Sequence, residues 1–241
     1  TFAVESMLGT FIPKDGKLLV LANGAYGLRA AQTMDYLNRD YHLLDKGDYL
    51  PPRGGEVADI LENDKAITHV LVIHCETSSG ILNPLEEIGA VVKSAGRKLL
   101  IDSMSAFGAV PIDPEKIDFE AMVSSANKCI EGVPGFGFVF AKLSALGAAK
   151  GNCHSLSLDV EAQWSAMEKS GQWRFTPPTH VVVALLTALE IHEEEGGVAG
   201  DVARAEAAEE HDDGGLDGEV SDEEADRTID GVEALLVRAS E

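Results

Sequence analysis

Short apolar runs alternate with segments of helical composition along most of this 241-residue chain. The run Lys17–Ala22 ends at Asn23-Gly24, and the run 68–74, rich in β-branched residues, opens into a polar stretch. A third run, 98–101, is followed at once by Asp102. Strands that alternate with helices at this spacing form βαβ units. We therefore predict an α/β fold with a mostly parallel sheet flanked by helices.

The other elements follow from apolar periodicity and from start and stop signals. Thr1 suits the N-cap of a first helix, and Pro84 suits the first position of a later one. Two more strands, 118–123 and 136–140, flank a glycine-rich return. The predicted helices cover residues 1–10, 27–37, 54–62, 85–94, 158–170 and 181–191.

Three polar residues, Thr77, Asp102 and Lys128, each follow a predicted strand. In such sheets ligands bind beyond the carboxyl ends of the strands, so we expect these side chains to converge there. A lysine at the end of a buried strand is desolvated, which favours the neutral amine that forms Schiff bases with carbonyls. Taken alone, Lys128 would be interpreted as a solvated loop lysine. Its expected proximity to Thr77 and Asp102 is what favours a ligand-binding site.

A dinucleotide site of the Rossmann type is the obvious rival for a parallel sheet. No G-x-G-x-x-G follows the first strand. The glycine run 132–137 lies between two strands and does not open a helix. Because the dinucleotide motif needs a strand before it and a helix after it, the sequence argues against this site.

Two further residues suit a ring-shaped, anionic ligand. Thr1 stands at a helix N-terminus, where free N–H groups and the helix dipole favour a phosphate. Tyr26 stands at a strand-to-helix junction, where an aromatic ring can stack on a planar ligand. Taken singly, a plain helix cap and plain packing are the ordinary roles of such residues.

The formal net charge of −22 argues against nucleic-acid partners, because the phosphate backbone repels such a surface. Residues 201–241 hold 15 acidic residues and three arginines, so −12 lies in this tail and −10 in the rest of the chain. The smaller value is ordinary for an enzyme. By composition we expect 201–241 to be disordered or weakly helical.

No stretch of 18 apolar residues occurs, so we expect no membrane span. The chain opens without a basic n-region, and we read no signal peptide in it. Its three cysteines, Cys75, Cys129 and Cys153, lack the spacing of a metal site or a disulfide framework, which fits a reducing cytoplasm. We accordingly predict a cytoplasmic protein without a metal site.

Four blocks of the sequence also resemble a known family. They cover residues 74–85, 101–108, 124–137 and 173–180. In order and spacing they resemble the 2-aminoethylphosphonate–pyruvate aminotransferases, which belong to the class V group of fold-type-I enzymes that use pyridoxal 5′-phosphate. The resemblance runs from Thr1 to about Gly200 and implies the large domain of that fold.

The resemblance implies a role for each candidate residue at the cofactor ring. Lys128 would hold pyridoxal phosphate covalently through a Schiff base. Asp102 would pair with the protonated pyridine nitrogen and so keep the ring an electron sink. Thr77 would hydrogen-bond the phenolic oxygen of the ring. Tyr26 looks like the residue that stacks on one ring face, and Met104 like one that packs on the other.

It also implies a phosphate site and a partner. Thr1 resembles the last residue of the phosphate-binding turn, and Asn127 would lie beside the phosphate. Thr176 resembles the residue that reaches the phosphate of a neighbouring subunit, which implies a homodimer. The reaction implied moves the amino group of 2-aminoethylphosphonate to pyruvate and gives phosphonoacetaldehyde and alanine, with Lys128 carrying the proton.

Alternatives stay open. Another class V transaminase, using alanine or serine with glyoxylate or pyruvate, shares most of these residues, and a fragment without turnover is the alternative from outside the enzymes. A cysteine desulfurase is less favoured, because that chemistry needs a cysteine in a mobile loop after the lysine. Cys129 adjoins Lys128 directly, and Cys153 is the remaining candidate.

The sequence departs from the family pattern at both ends. The Ser-Gly that precedes the threonine of the phosphate turn is absent, and no match to the C-terminal small domain with its carboxylate-binding arginine follows Asp201. We expect residues 1–200 to be an N-terminally truncated large domain and 201–241 to be an acidic tail from a truncated or frameshifted reading frame. Loss of such charged contacts predicts weak or no activity.

Overall fold

The computed structural model describes residues 1–212, which form one central sheet with helices on both faces. Eight strands lie within this range, six in the central sheet and two in a short hairpin. The sheet strands are β1 Lys17–Ala22, β2 Tyr41–Asp45, β3 Ile67–Ile73, β6 Lys98–Asp102, β7 Ala121–Ser125 and β8 Gly137–Ala141. The hairpin pairs β4 Cys75–Glu76 with β5 Ile81–Leu82.

The strand order is β2-β1-β3-β6-β7-β8, and all neighbouring pairs are parallel except β7 with β8. Ile73, at the end of β3, lies in register with Asp102, which in turn pairs with Val123 of β7. The carboxyl ends of three adjacent strands therefore meet at one edge of the sheet. The α/β fold with a mostly parallel sheet is confirmed.

Eight helices begin and end within the described range, and local signals account for several of the ends. Asp159 accepts a hydrogen bond from Ala162 N at 3.0 Å and caps α6, which ends at Gly171 with φ of +65°. Thr1 occupies the N-cap of α1, as predicted, without a side-chain capping bond. The helices are α1 Phe2–Phe11, α2 Ala25–Tyr36, α3 Gly54–Asn63, α4 Leu85–Ser94, α5 Leu143–Ala148, α6 Val160–Ser170, α7 Thr179–Glu194 and α8 Gly197–Asp212.

Both faces of the sheet are buried, which explains why its strands read as continuous apolar runs. Alternate residues of one strand serve opposite faces: Leu71 packs with the α1 and α2 side chains, and Val72 packs with those of α3 and α4. Asp102 follows the same alternation. It shares the parity of Leu100, which belongs to the α1 and α2 face, so its side chain points toward that layer.

Some predicted elements are wrong in detail. The strand predicted at 118–123 begins only at Ala121, because the preceding segment turns: the N–H of Phe119 donates to Ile117 O at 3.1 Å. The polar stretch 75–84 contains the β4–β5 hairpin and is not a plain loop. Pro84 lies at the N-cap of α4, one position before the one predicted. Strand β2 and helix α5 are not predicted at all.

Helix α8 continues through residue 200 and ends at Asp212. The rest of the tail, 213–241, lies outside the described residues, and so does most of the prediction made for it. Between residues 1 and 212, no helix combines the length and the apolar character needed to cross a membrane. The same residues contain no group of three or more metal-ligating side chains.

Candidate active site

The loop that carries Lys128 is a tight turn between β7 and β8. The N–H of Glu131 donates to Lys128 O at 2.7 Å, and the N–H of Gly132 donates to Ala126 O at 2.7 Å. A side chain at Gly132 would start 2.7 Å from that carbonyl oxygen, so the turn requires glycine there. Glu131 takes the left-handed conformation, with φ of +57°. The turn holds Lys128 half-buried just beyond the carboxyl end of β7.

Lys128 has an amine without a counter-ion among the residues that the structure describes. No ion pair or side-chain hydrogen bond among residues 1–205, whose side chains the structure describes, includes it, whereas Lys17, Lys46, Lys98 and Lys142 each pair with a carboxylate. A half-buried lysine with no such partner keeps its amine available for a carbonyl ligand.

Asp102 ends β6 and is 4% exposed. Its Oδ1 accepts a hydrogen bond from the N–H of Met104 at 3.1 Å. Burial raises the pKa of this carboxyl to about 6, against the opposing effect of that hydrogen bond. A buried carboxyl with a raised pKa is poised to gain from a cationic partner, because an opposite charge restores its ionised form.

A chain of hydrogen bonds joins the loops that follow β3, β6 and β7. Thr77 Oγ1 donates to Ser105 Oγ at 3.0 Å, and Ser105 Oγ donates to Cys75 O at 2.8 Å. The thiol of Cys129, next to Lys128, donates to Ser105 O at 3.3 Å. The three loops that carry Thr77, Asp102 and Lys128 are thus tied together through one serine.

Beneath these loops lies a buried polar layer around His74. Its backbone N–H donates to Asp102 O at 2.7 Å, and its Nδ1 lies 3.1 Å from Ser103 Oγ. Burial lowers the pKa of His74 to about 4, so the imidazole is neutral near pH 7. Ser124 Oγ donates to Ser103 O at 3.1 Å and extends the layer to β7. These contacts fix the backbone that presents Asp102.

Tyr26 lies in the first turn of α2, beyond the carboxyl end of β1, and packs against the same core face as Met104. The Arg29 guanidinium lies 4.8 Å from the centroid of its ring. The N–H of Tyr26 donates to Glu76 Oε1 at 3.3 Å, and the N–H of Gly27 donates to Glu76 Oε2 at 3.1 Å. The loop after β3 therefore holds the helix that carries the tyrosine.

The N-terminus of α1 also faces this edge. Thr1, at the N-cap of this helix, lies within electrostatic range of the Asp102 carboxylate. Asn127 precedes the lysine, and its Oδ1 is buried without a hydrogen-bond partner among the described residues. Such an orphaned atom at the end of a strand suits a polar ligand.

Thr176 lies elsewhere in the chain, exposed between α6 and α7, and no hydrogen bond within residues 1–212 links it to the other candidates. The structure thus brings Tyr26, Thr77, Asp102, Met104, Asn127 and Lys128 to one edge, with Thr1 close by. Sequence reasoning missed His74, Ser105 and Glu76 as supporting residues. All three stand inside the resembling blocks, but spacing alone does not separate a supporting residue from a contact residue.

The residues at this edge fit pyridoxal phosphate. The buried carboxyl with its raised pKa suits a protonated ring nitrogen, the unpaired lysine suits an aldehyde, and the aromatic ring suits a planar heterocycle. The orphaned Asn127 oxygen and the start of α1 supply polar groups for an anionic end. No described residue of the edge contradicts such a ligand.

Several solved structures with the same architecture are aminotransferases. Pyridoxamine–pyruvate aminotransferase from Mesorhizobium loti superposes with a TM-score of 0.71 at 28% identity, over 81% of this chain and 50% of that one. Alanine–glyoxylate aminotransferase from Nostoc sp. superposes with a TM-score of 0.79 at 23% identity, over 92% and 60%, and speaks for the fold alone. The fold is that of the fold-type-I pyridoxal-phosphate-dependent enzymes.

Residues 25–221 match the family described as aminotransferase class V, and the chain belongs to this pyridoxal-phosphate-dependent family. Its sequence is 69% identical over 204 residues to 2-aminoethylphosphonate–pyruvate transaminase from Rhizobium meliloti. That match covers 85% of this chain and 53% of the relative. The chain therefore spans about half the length of the curated relatives that it matches.

Proposed function

We propose that this chain is the large-domain part of a transaminase that moves the amino group of 2-aminoethylphosphonate to pyruvate, giving phosphonoacetaldehyde and alanine. The observation that carries the proposal is the 69% identity to 2-aminoethylphosphonate–pyruvate transaminase over 204 residues. The family match, residues 25–221, includes every candidate site residue except Thr1. The tail 201–241 stands apart from the catalytic unit in this proposal.

Lys128 and Asp102 do the chemical work. When bound, pyridoxal phosphate supplies an electron sink for the carbanion that forms at the amine-bearing carbon. Lys128 would hold the cofactor through its Nζ, and the same amine would carry a proton as general acid and base. Asp102 holds the proton on the pyridine nitrogen, since a buried carboxylate beside a cation is favoured over an isolated one.

Thr77, Tyr26 and Met104 orient the ring. Thr77 would accept a hydrogen bond from the phenolic hydroxyl of the ring, because its own proton is donated to Ser105 Oγ at 3.0 Å. Tyr26 would stack on one face of the ring, and Met104 would pack on the other. An aromatic residue and a thioether on opposite faces exclude water and fix the ring plane, which supports proton transfer at a defined position.

Thr1 and Asn127 hold the phosphate, with the N–H groups of the first turn of α1 as further donors. Thr176 serves the phosphate of a neighbouring subunit, so the active unit is a homodimer with shared sites. Its exposed position, outside the hydrogen-bonded cluster of its own chain, suits that role. We also place the protein in the cytoplasm, where its three cysteines stay unpaired thiols.

The proposal is tested by covalent trapping. The full chain is incubated with pyridoxal phosphate, reduced with borohydride and mapped by peptide mass spectrometry. We expect one phosphopyridoxyl adduct on Lys128, absent from Lys128→Ala and retained in Lys142→Ala, whose lysine is ion-paired with Asp118. Adducts scattered over surface lysines, or none, would mean that the chain does not form the site.

A substrate panel separates the amino donors. Alanine formation from 2-aminoethylphosphonate and pyruvate supports the proposed reaction. Turnover with alanine or serine and glyoxylate, and none with 2-aminoethylphosphonate, would assign another class V transaminase. Trapping on Lys128 without turnover of any donor would identify a chain that keeps the cofactor site and lacks catalysis.

A further inference from the structure

We propose that Glu76 is a positioning residue, whose buried carboxylate anchors the first turn of α2 and thereby sets the orientation of Tyr26 over the cofactor ring. The inference rests on the stacking role proposed for Tyr26. It assigns a function to a residue whose side chain touches neither the lysine nor the buried aspartate in any hydrogen bond of the described chain.

Glu76 is the most completely enclosed carboxylate at this edge, with a side chain that is 0% exposed. Its two oxygens accept hydrogen bonds from the backbone N–H groups of Tyr26 and Gly27, at 3.3 and 3.1 Å. Ser78 Oγ donates to Oε1 at 2.7 Å and itself accepts from Ala25 N at 2.8 Å. Three successive amides at the start of α2 thus end on Glu76, directly or through one hydroxyl.

The hydrogen bonds of Glu76 stabilise the start of α2 and are not part of a salt bridge. No ion pair of residues 1–212 includes Glu76, and its partners are N–H and O–H groups only. The first amides of a helix lack intrahelical acceptors, and the helix dipole favours a negative group beside them. A carboxylate in this place fixes the direction in which α2 leaves the sheet.

Close packing leaves the first turn little freedom to compensate. A side chain at Gly24 would start 2.4 Å from Ser78 Oγ, and one at Gly27 would start 2.6 Å from Ala22 Cα. Between these two glycines, Tyr26 is held by the carboxylate on one side and by the end of β1 on the other. A change at Glu76 must therefore move the backbone that aims the ring.

The same carboxylate acts on Asp102 through space. Burial is the main cause that raises the pKa of Asp102, and the charge of Glu76 raises it further. A second negative charge near the aspartate favours a cationic partner at this edge. Removing the charge of Glu76 would weaken this contribution while leaving Asp102 itself in place.

The test compares Glu76→Gln with a matched control, Glu120→Gln. Glu120 is also buried, with its carboxylate paired to His69 at 2.8 Å and to Lys98, but it precedes β7, at the opposite edge of the sheet. Ser78→Ala, at an exposed residue, removes one donor and guards against misfolding of Glu76→Gln. Two readouts are taken: amide hydrogen exchange of residues 24–28 without cofactor, and the binding of pyridoxal phosphate by titration and visible circular dichroism.

We expect Glu76→Gln to exchange faster at 24–28, to bind pyridoxal phosphate about tenfold more weakly, and to change the circular dichroism of the bound ring. Ser78→Ala should change in the same direction by less, and Glu120→Gln in neither readout. Wild-type affinity and dichroism in Glu76→Gln would overturn the inference. If the unsubstituted chain gives no adduct on Lys128, the proposed function fails. The Glu76 inference is then tested by amide hydrogen exchange of residues 24–28 alone. Faster exchange in Glu76→Gln supports the anchoring role, and unchanged exchange overturns it.

Discussion

The hydroxyl of Thr77 lies 3.0 Å from that of Ser105 and donates to it, so that a residue after β3 is oriented by a residue after β6. Ser105 in turn donates to the carbonyl of Cys75 at 2.8 Å and accepts from the Cys129 thiol. The Ser105 side chain therefore joins the loop after β3 to the loop after β6, and the Ser105 backbone carbonyl ties them to the loop after β7.

Replacing this serine by alanine should loosen the site without unfolding the chain. Ser105→Ala leaves Cys75 O and the Thr77 hydroxyl without their partner, which we expect to cost about 1–2 kcal/mol in the free energy of unfolding. Affinity for pyridoxal phosphate should fall in parallel. Urea denaturation and cofactor titration measure the two effects. Ser105→Thr retains a hydroxyl and should recover most of both; equal losses in the two variants would contradict the hydrogen-bond account.

The buried Asp102 should lower stability as the pH rises. Its folded pKa of about 6 lies above the ordinary 3.8. Below pH 3.8 the carboxyl is protonated in both states, and above pH 6 the folded state must bury the charge. The free energy of unfolding of the wild type should therefore fall relative to Asp102→Asn between about pH 4 and pH 6, by about 3 kcal/mol.

The measurement is urea denaturation of both proteins without cofactor at pH 4, 5, 6 and 8. Asp64→Asn is the control, because hydrogen bonding to Lys17 lowers the pKa of Asp64 and gives the opposite pH dependence. Asp102→Asn should also lose affinity for pyridoxal phosphate. Above about pH 6 the variant should therefore be more stable than the wild type and yet bind the cofactor less tightly. A stability difference that does not change with pH would contradict the burial argument.

His74 should lower the free energy of unfolding as the pH falls, which is the opposite pH dependence to that of Asp102. Burial lowers its folded pKa to about 4 from the ordinary 6.5. Its contribution is complete above pH 6.5 and is lost as the pH falls toward 4, because the unfolded state takes up the proton first. Relative to His74→Asn, the wild type should lose about 3 kcal/mol over this range. Equal losses in the wild type and in His74→Asn over this range would contradict the burial argument.

Arg39 is buried at the C-terminal end of α1 and binds backbone carbonyls rather than a carboxylate. Its guanidinium donates to Leu8 O at 3.1 Å, Gly9 O at 2.9 Å, Asn152 O at 2.8 Å and also to Ile12 O. Arg39→Met leaves these carbonyls unpaired and should lower the free energy of unfolding by about 3–5 kcal/mol. Arg53→Met, at an exposed arginine, should stay within about 0.5 kcal/mol. Thermal or urea denaturation compares the two.

Much of the architecture was accessible from local pattern. The run Lys17–Ala22 is strand β1 to the residue, and the helix at 85–94 is α4, because both have clear apolar patterning and flanking turn residues. Strand β2 is not predicted from the sequence, because Tyr41–Asp45 is half-buried and lacks a continuous apolar run. The start of β7 was misjudged because the turn before it depends on backbone bonds that leave no signature in composition.

The candidate site was also only partly predictable from the sequence. Asp102 and Lys128 were found because strand ends converge in any parallel sheet, so position along the chain implies position in space. Ser105 and Glu76 were not found, since their importance lies in contacts with residues of other loops. A serine after a strand is common in any sequence, and only its partners, Thr77 and Cys75, make it a joint between loops.

Helix α1 packs against β7 and β8, which lie more than a hundred residues later in the chain, and Met7 and Leu8 share one core cluster with Val123. Contacts between residues so far apart along the chain are slow to form, because closing the intervening loop first lowers the entropy of the chain. During synthesis α1 leaves the ribosome well before the strands that it packs on. The part of α1 that packs on β7 and β8 must then stay uncovered until those strands arrive, and in that interval it is open to aggregation.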